Sequence, residues 1–115
     1  MSSPFEGMLE MLTRQRGVVG CLIVGEDDGI IVDVNVQVGI DAPVIAALAA
    51  ALYRRARLSS EAAGLATVNF LQLEAERGHL CMAGRDGLVI VTITEPKAQI
   101  GLIRGAMLQS VETLA

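Results

Sequence analysis

Aromatic and lysine side chains are scarce in this sequence. It has no tryptophan, one tyrosine, two phenylalanines and a single lysine among 115 residues. Ala, Val, Leu and Ile supply most of the 52% apolar content, so we expect an aliphatic core packed by shape. Nine basic residues against thirteen acidic ones give a formal net charge of −4. An acidic chain lacks the basic stripe that phosphate binding needs, which argues against a nucleic-acid partner.

A long apolar run is also missing. The longest uncharged apolar stretch, 42–53, is well short of the roughly 20 residues of a spanning helix, so no membrane insertion is expected. Glu6 and Glu10 stand where a secretory signal would carry basic residues, which makes the cytoplasm the expected compartment. A chain of 115 residues predicts a single domain, 1–115, that buries roughly two-thirds of its extended surface.

Motifs that carry catalysis are absent as well. No G-x-x-x-x-G-K-[ST] loop occurs, so the chain is not expected to bind or hydrolyse GTP by itself. His79 and Cys81 are the only nucleophile–base candidates, yet residues two apart on a strand stand roughly 6.5–7 Å apart, beyond hydrogen-bond reach. A zinc site would also require Cys21 on a neighbouring strand. The acidic run 26–28 fits a solvated hairpin tip better than a calcium loop. We therefore expect no enzyme, no cofactor and no metal.

The first half of the chain predicts a helix followed by a hairpin. Apolar residues recur at helical spacing after Pro4, and Gly17 stops this helix. Two strand-like runs, 18–24 and 30–36, flank the turn Asp27-Asp28-Gly29.

A second helix follows the hairpin. Asp41 is a good N-cap, and Pro43 falls in the first turn, where its missing N–H is not needed. Bulky apolar residues lie on one side and alanines fill most other positions, so the helix has no single apolar stripe. Gly64 is a plausible stop. The bulky residues are Val44, Ile45, Leu48 and Leu52, and three arginines (Arg54, Arg55 and Arg57) lie towards the C-terminal end.

The second half predicts three strands on short turns and a closing helix. The strand-like runs are 67–76, 79–83 and 88–94, and Pro96 ends the sheet. The whole order predicts an α+β fold, a five-stranded antiparallel sheet with helices on both faces in the order α-β-β-α-β-β-β-α. In the closing helix, the residues expected to face the sheet are Ile100, Ile103, Met107, Val111 and Leu114.

Tyr53 and the arginines after it admit two interpretations. In one, Tyr53 is a half-buried ring and the arginines form a solvated helix end. In the other they form a recognition surface, because Tyr and Arg dominate interface hot spots.

Four segments together resemble a Roadblock/LC7 domain, in the style of the MglB-like bacterial regulators of Ras-like GTPases. The segments are 17–29, 46–57, 70–78 and 98–104, and they cover nearly the whole chain. The resemblance implies a homodimer in which the third strands pair across a two-fold axis and the second helices pack side by side. The interface residues that it implies are Phe70, Leu71, Leu73, Ala75, Ala47 and Ala51.

The resemblance also implies that the paired second helices bind a small Ras-like GTPase. The contact residues would be Ala50, Tyr53, Arg54 and Arg57. Three functions remain open at this point: a GTPase regulator that can act as an activating protein, a passive adaptor in a GTPase or signalling complex, and a small-ligand sensor. If the arginines contact the GTPase, replacing Arg54 and Arg57 by Glu should weaken binding and leave the melting temperature nearly unchanged.

Overall fold

The computed structural model describes residues 3–114 and has the predicted order of elements. The helices are α1 (Glu6–Thr13), α2 (Ala42–Ala62) and α3 (Ile100–Val111), and the strands are β1 (Val18–Gly25), β2 (Ile31–Val36), β3 (Leu71–Ala75), β4 (Gly78–Arg85) and β5 (Leu88–Thr94). All strands join one antiparallel sheet in the order β2-β1-β5-β4-β3, so β2 and β3 are its edges. The predicted α+β class is confirmed. Within 3–114, no helix combines the length and the apolarity needed to cross a membrane.

Two clusters of buried side chains lie on opposite faces of the sheet, because successive strand residues point to opposite sides. One cluster packs beneath α1 and α3, and the other packs beneath α2 alone. The predicted inner face of α3 is confirmed, since Ile103 and Met107 are buried and Ile100 and Val111 pack against them. Buried members of the first cluster include Leu9, Leu12, Cys21, Ile23 and Ile90, and those of the second include Leu22, Val24, Met82, Val89 and Val91.

The predicted ends of the helices are also confirmed. Asp41 Oδ1 accepts a hydrogen bond from the Val44 N–H at 3.3 Å, and Pro43 lies in the first turn of α2. Gly17 and Gly64 adopt positive φ angles of 90° and 77°, which glycine reaches without a steric penalty. Gly64 directly follows the C-cap Ala63 of α2, whereas α1 already ends at Thr13 and Gly17 lies just before β1.

The third strand is shorter than the predicted run 67–76. It begins at Leu71, because the residues before it are held by a side chain instead of by a neighbouring strand. The Tyr53 hydroxyl lies 3.2 Å from the Val68 carbonyl oxygen and 3.4 Å from that of Gly84, so it bridges this segment to β4. Ala66 adopts a positive φ of 64°, which turns the chain away from the strand direction.

Gly84 gives a test of how tightly α2 packs on the sheet. A Cβ atom at this position would lie 2.8 Å from Tyr53 Cε2 and 2.9 Å from the Leu88 carbonyl oxygen. Gly84→Ala should therefore lower the free energy of unfolding by about 1–3 kcal/mol, as overpacking does. Gly105→Ala is the matched control: nothing lies within 4 Å of the added Cβ in α3, and stability should rise by about 0.5–1 kcal/mol. Urea denaturation measures both, and a neutral Gly84→Ala would contradict this packing.

Candidate functional site

The helix α2 places small residues against the sheet and bulky residues towards solvent. Ala46, Ala49 and Ala50 are at most 2% exposed, and Tyr53 is 4% exposed. Val44, Leu48 and Leu58, by contrast, are 51–55% exposed. Alanine lets the helix backbone approach the sheet closely, which leaves the larger apolar residues outside. We call the exposed set the outer α2 stripe; its members are Val44, Ala47, Leu48, Ala51, Leu52 and Leu58.

In the edge strand β3, the side chains of Leu71, Leu73 and Ala75 point to the side of the sheet that carries α2. Leu71 packs partly against the cluster beneath α2, whereas Leu73 is 43% exposed and Ala75 is exposed. Within the described chain, β4 is the only strand that pairs with β3, so one row of its backbone groups lacks a neighbouring strand. An apolar groove of about 270 Å³ borders this edge, and its walls include Leu73, Ala75, Leu80, Ile93, Val19 and Ile40.

The structure leaves most of the residues predicted for a dimer interface at least partly exposed. Leu71, Leu73 and Ala75 share one face of β3, and Ala47 and Ala51 are exposed on α2. Phe70 differs from these residues. It precedes β3 and packs partly against the cluster beneath α1 and α3, with the Arg104 guanidinium 5.7 Å from its ring centroid.

The predicted GTPase-contact residues require a correction. Ala50 and Tyr53 belong to the core and are 2% and 4% exposed, so their side chains do not reach a surface that a partner protein could contact. The reason is the orientation of α2, whose alanine-rich side faces the sheet. Arg54 and Arg57 are half-buried and are used inside the protomer.

The two arginines hold the turn between β1 and β2 against α2. Arg54 Nη1 donates to the carbonyl oxygens of Glu26, at 2.9 Å, and of Asp27, at 3.1 Å. Arg57 donates to both carboxylate oxygens of Glu26, with Nε–Oε1 and Nη2–Oε2 distances of 2.9 Å. It also donates to Glu61 at 3.3 Å. We call these residues the arginine clamp: Glu26, Arg54, Arg57 and Glu61.

Arg57 keeps its positive charge over the ordinary pH range. The hydrogen bonds and the charge of Glu26 raise the pKa of Arg57 above its usual value, so this guanidinium stays protonated. Glu26 is only 8% exposed, and a buried carboxylate requires such a partner. The local sequence pattern predicts a solvated turn at Glu26, because nothing in it links Glu26 to an arginine 31 residues away.

The two cysteines and the histidine lie on strands β1 and β4. Cys21 and Cys81 both lie opposite Thr92 of β5 and are therefore separated by a whole strand. Burial, assisted by the charge of Asp33, raises the pKa of the Cys21 thiol to about 12. Burial also raises the pKa of Cys81. A thiol protonated at neutral pH is a poor nucleophile and a poor metal ligand. The His79 Nε2 atom lies 2.8 Å from the Pro96 carbonyl oxygen.

Comparison with known proteins identifies the fold. No protein-family model matches the chain. Two uncharacterised proteins of Methanocaldococcus jannaschii are similar in sequence. One is 28% identical over 114 residues, covering 99% of this chain and 96% of the relative, and the other is 27% identical over 103 residues, covering 90% of each. These relatives are archaeal, so the likeness extends beyond the bacterial proteins of the sequence analysis.

Solved structures match over nearly the full length. A Roadblock/LC7 domain from Streptomyces avermitilis has a TM-score of 0.86 at 18% identity, covering 97% of this chain and 95% of that one. Myxococcus xanthus MglB has a TM-score of 0.81 at 18% identity, covering 96% and 93%. The chain therefore has the Roadblock/LC7 fold, as predicted from its sequence, and shares this fold with MglB.

The arginine clamp can be tested by substitution. Arg57→Met should lower the melting temperature, because it leaves the buried Glu26 carboxylate without its bidentate donor. The double variant Arg54→Glu and Arg57→Glu should melt earlier still, contrary to the expectation from sequence alone. Arg55→Met is the control, since Arg55 is exposed and its loss should leave thermal unfolding by circular dichroism nearly unchanged. Equal melting of the Arg57 and Arg55 variants would show that the clamp contributes nothing.

Proposed function

We propose that this protein is a non-catalytic homodimer that binds a small Ras-like GTPase and regulates it. The observation that carries this proposal is that a Roadblock/LC7 fold exposes two features together. One is the edge of β3 that pairs with no other strand of the described chain, and the other is the outer α2 stripe. The likeness to MglB supports a regulator of this kind.

Dimer formation through β3 is supported by the difference between the two edges of the sheet. At β2, Asp33 Oδ1 accepts the Val34 N–H at 2.8 Å, and a register shift interrupts the pairing with β1. Bulges and charged residues of this kind protect an edge from further pairing. Residues 71–75 of β3 pair with β4 in an unbroken register and carry the exposed Leu73. Two β3 strands that pair would join two five-stranded sheets into one.

The outer α2 stripe supports the same assembly. Its bulky apolar residues lie on the side of the sheet to which the side chains of Leu71 and Leu73 point. A large exposed apolar patch commonly marks a protein interface. Ala47 and Ala51 would allow two α2 helices to approach closely at their centres. We assign the dimer interface to β3 and to this stripe.

The GTPase contact is placed on the paired α2 helices, near their C-terminal halves. Ala50 and Tyr53 are not part of this contact, because they are core residues. The exposed parts of Arg54 and Arg57, together with the exposed Arg55, would form its basic rim. Rim charges of this kind affect mainly the rate of association.

The mode of regulation follows from how the arginines are used. Arg54 and Arg57 already bind Glu26 and the turn after it, so neither is free to enter another active site. The chain also lacks a phosphate-binding loop. An effect on hydrolysis would therefore act by positioning the catalytic residues of the GTPase. The same engagement of both arginines favours a second candidate, a passive adaptor that tethers a GTPase without changing its rate.

Substitution at the β3 edge tests the dimer. The wild type should have twice the 12.1 kDa mass of the chain in light scattering at micromolar concentration. Leu73→Arg should give monomer or aggregate, because it places an unpaired charge in the interface. Val34→Arg is the matched control at the other edge, with 41% exposure against 43% for Leu73, and it should remain dimeric. A monomeric wild type, or a dimeric and folded Leu73→Arg variant, would contradict the assignment.

Single-turnover hydrolysis separates regulation from tethering. GTPases captured on the immobilised protein in the presence of a GTP analogue or GDP are purified, and hydrolysis is measured with and without the protein. Regulation predicts an acceleration of about tenfold or more, which corresponds to about 1.4 kcal/mol in the barrier. Binding with an unchanged rate would establish the adaptor instead. Failure to bind a Ras-like GTPase in either nucleotide state would reject both functions.

A further inference from the structure

The face opposite α2 carries a groove that the proposed dimer does not use. It lies between α1 and α3 and encloses about 440 Å³. Met8 and Met11 contribute to its wall, and methionine adapts readily to different apolar partners. Met11 is 37% exposed. The main lining residues are Phe5, Met8 and Met11 on one side and Gln109 and Thr113 on the other.

On the other flank of α1 lies an acidic depression of about 400 Å³. Glu6 and Glu10 line it from α1, and Asp33 lines it from β2. Asp33 Oδ2 is buried and has no hydrogen-bond partner within residues 3–114, an arrangement that costs free energy unless a donor or a cation arrives. Arg14 lies 3.9 Å from Glu10, but both side chains are more than half exposed, so this pair neutralises little.

Gly7 connects the two depressions across the exposed side of α1. It is the second residue of α1, and an added Cβ would meet nothing within 4 Å. Packing within the described residues therefore does not explain the missing side chain. An exposed glycine does allow a second backbone to come close.

We infer that this surface docks an amphipathic helix with a basic flank, supplied by a partner protein. Its apolar side chains enter the groove between α1 and α3, its backbone passes over Gly7, and its Lys or Arg side chains reach Glu6, Glu10 and Asp33. A second copy of this chain is a poor occupant, because it carries a net charge of −4 and one lysine.

A synthetic peptide tests the docking surface without knowledge of the natural partner. The probe is a fluorescein-labelled peptide of Leu and Lys in an amphipathic helical pattern, and the matched peptide has Glu in place of each Lys. Fluorescence anisotropy should show saturable binding of the Lys peptide that weakens as salt is added. Absence of binding, or equal binding of the Glu peptide, would overturn the proposal.

Three variants locate the peptide on the surface. Gly7→Leu introduces a good helix former into open space, so the protein should melt no earlier, yet affinity for the Lys peptide should fall about tenfold or more because the crossing point is filled. Asp33→Asn should weaken binding about threefold or more and reduce its salt dependence.

The third variant, Glu76→Gln, is the charge control. It removes one acidic charge at the turn between β3 and β4 and should change affinity by less than about twofold. Light scattering confirms that each variant keeps the assembly state of the wild type. If Gly7→Leu binds as well as the wild type, or if Glu76→Gln weakens binding as much as Asp33→Asn, the peptide is held by general charge attraction and the inference is wrong.

Discussion

The structure depends on an imbalance between the two faces of its sheet. Five strands present two apolar faces, and α1 and α3 together cover one of them, whereas α2 alone covers the other. A single helix does not cover five strands, whose combined width is roughly 20 Å or more at about 4.8 Å per strand. The inner surface of α2 is also built from alanine and one tyrosine. The exposed Leu73 and the outer α2 stripe follow from this geometry, and so does the proposed interface.

The arginine clamp has a defined part in this arrangement. An alanine-rich surface supplies little shape that would fix the rotation and position of α2 over the sheet. The bidentate contact of Arg57 with Glu26, and the contacts of Arg54 with two backbone carbonyls, join α2 to the end of β1 by directional bonds. One turn before Arg57 in α2, the Tyr53 hydroxyl bridges Val68 and Gly84 of β4. Polar contacts to the end of β1 and to β4 therefore supply the alignment that apolar packing leaves undefined.

Much of the fold could be predicted from the sequence, because the order of the helices and strands along the chain depends on local signals. The alternation in the strands, the turn glycines and the Asp41 cap each determine an element within a few residues. The orientation of α2 could not be predicted in this way. Both the Val44–Leu48–Leu52 side and the Ala49–Tyr53 side are apolar, and only the tertiary structure shows which of them faces the sheet. The partners of Arg54 and the late start of β3 depend on residues far away in the chain, so local periodicity carries no signal for them.

Amide hydrogen exchange, measured at several protein concentrations, tests the central claim most directly. The claim is that the sheet face which α2 covers only in part belongs to a dimer interface, and that β3 of one protomer pairs with β3 of its partner in that interface. It predicts that the amides of residues 71–75 exchange more slowly as the concentration rises, whereas those of 31–36, at the other edge, do not change. Exchange at 71–75 that is equally fast at every concentration, or protection that appears at 31–36 instead, would contradict it.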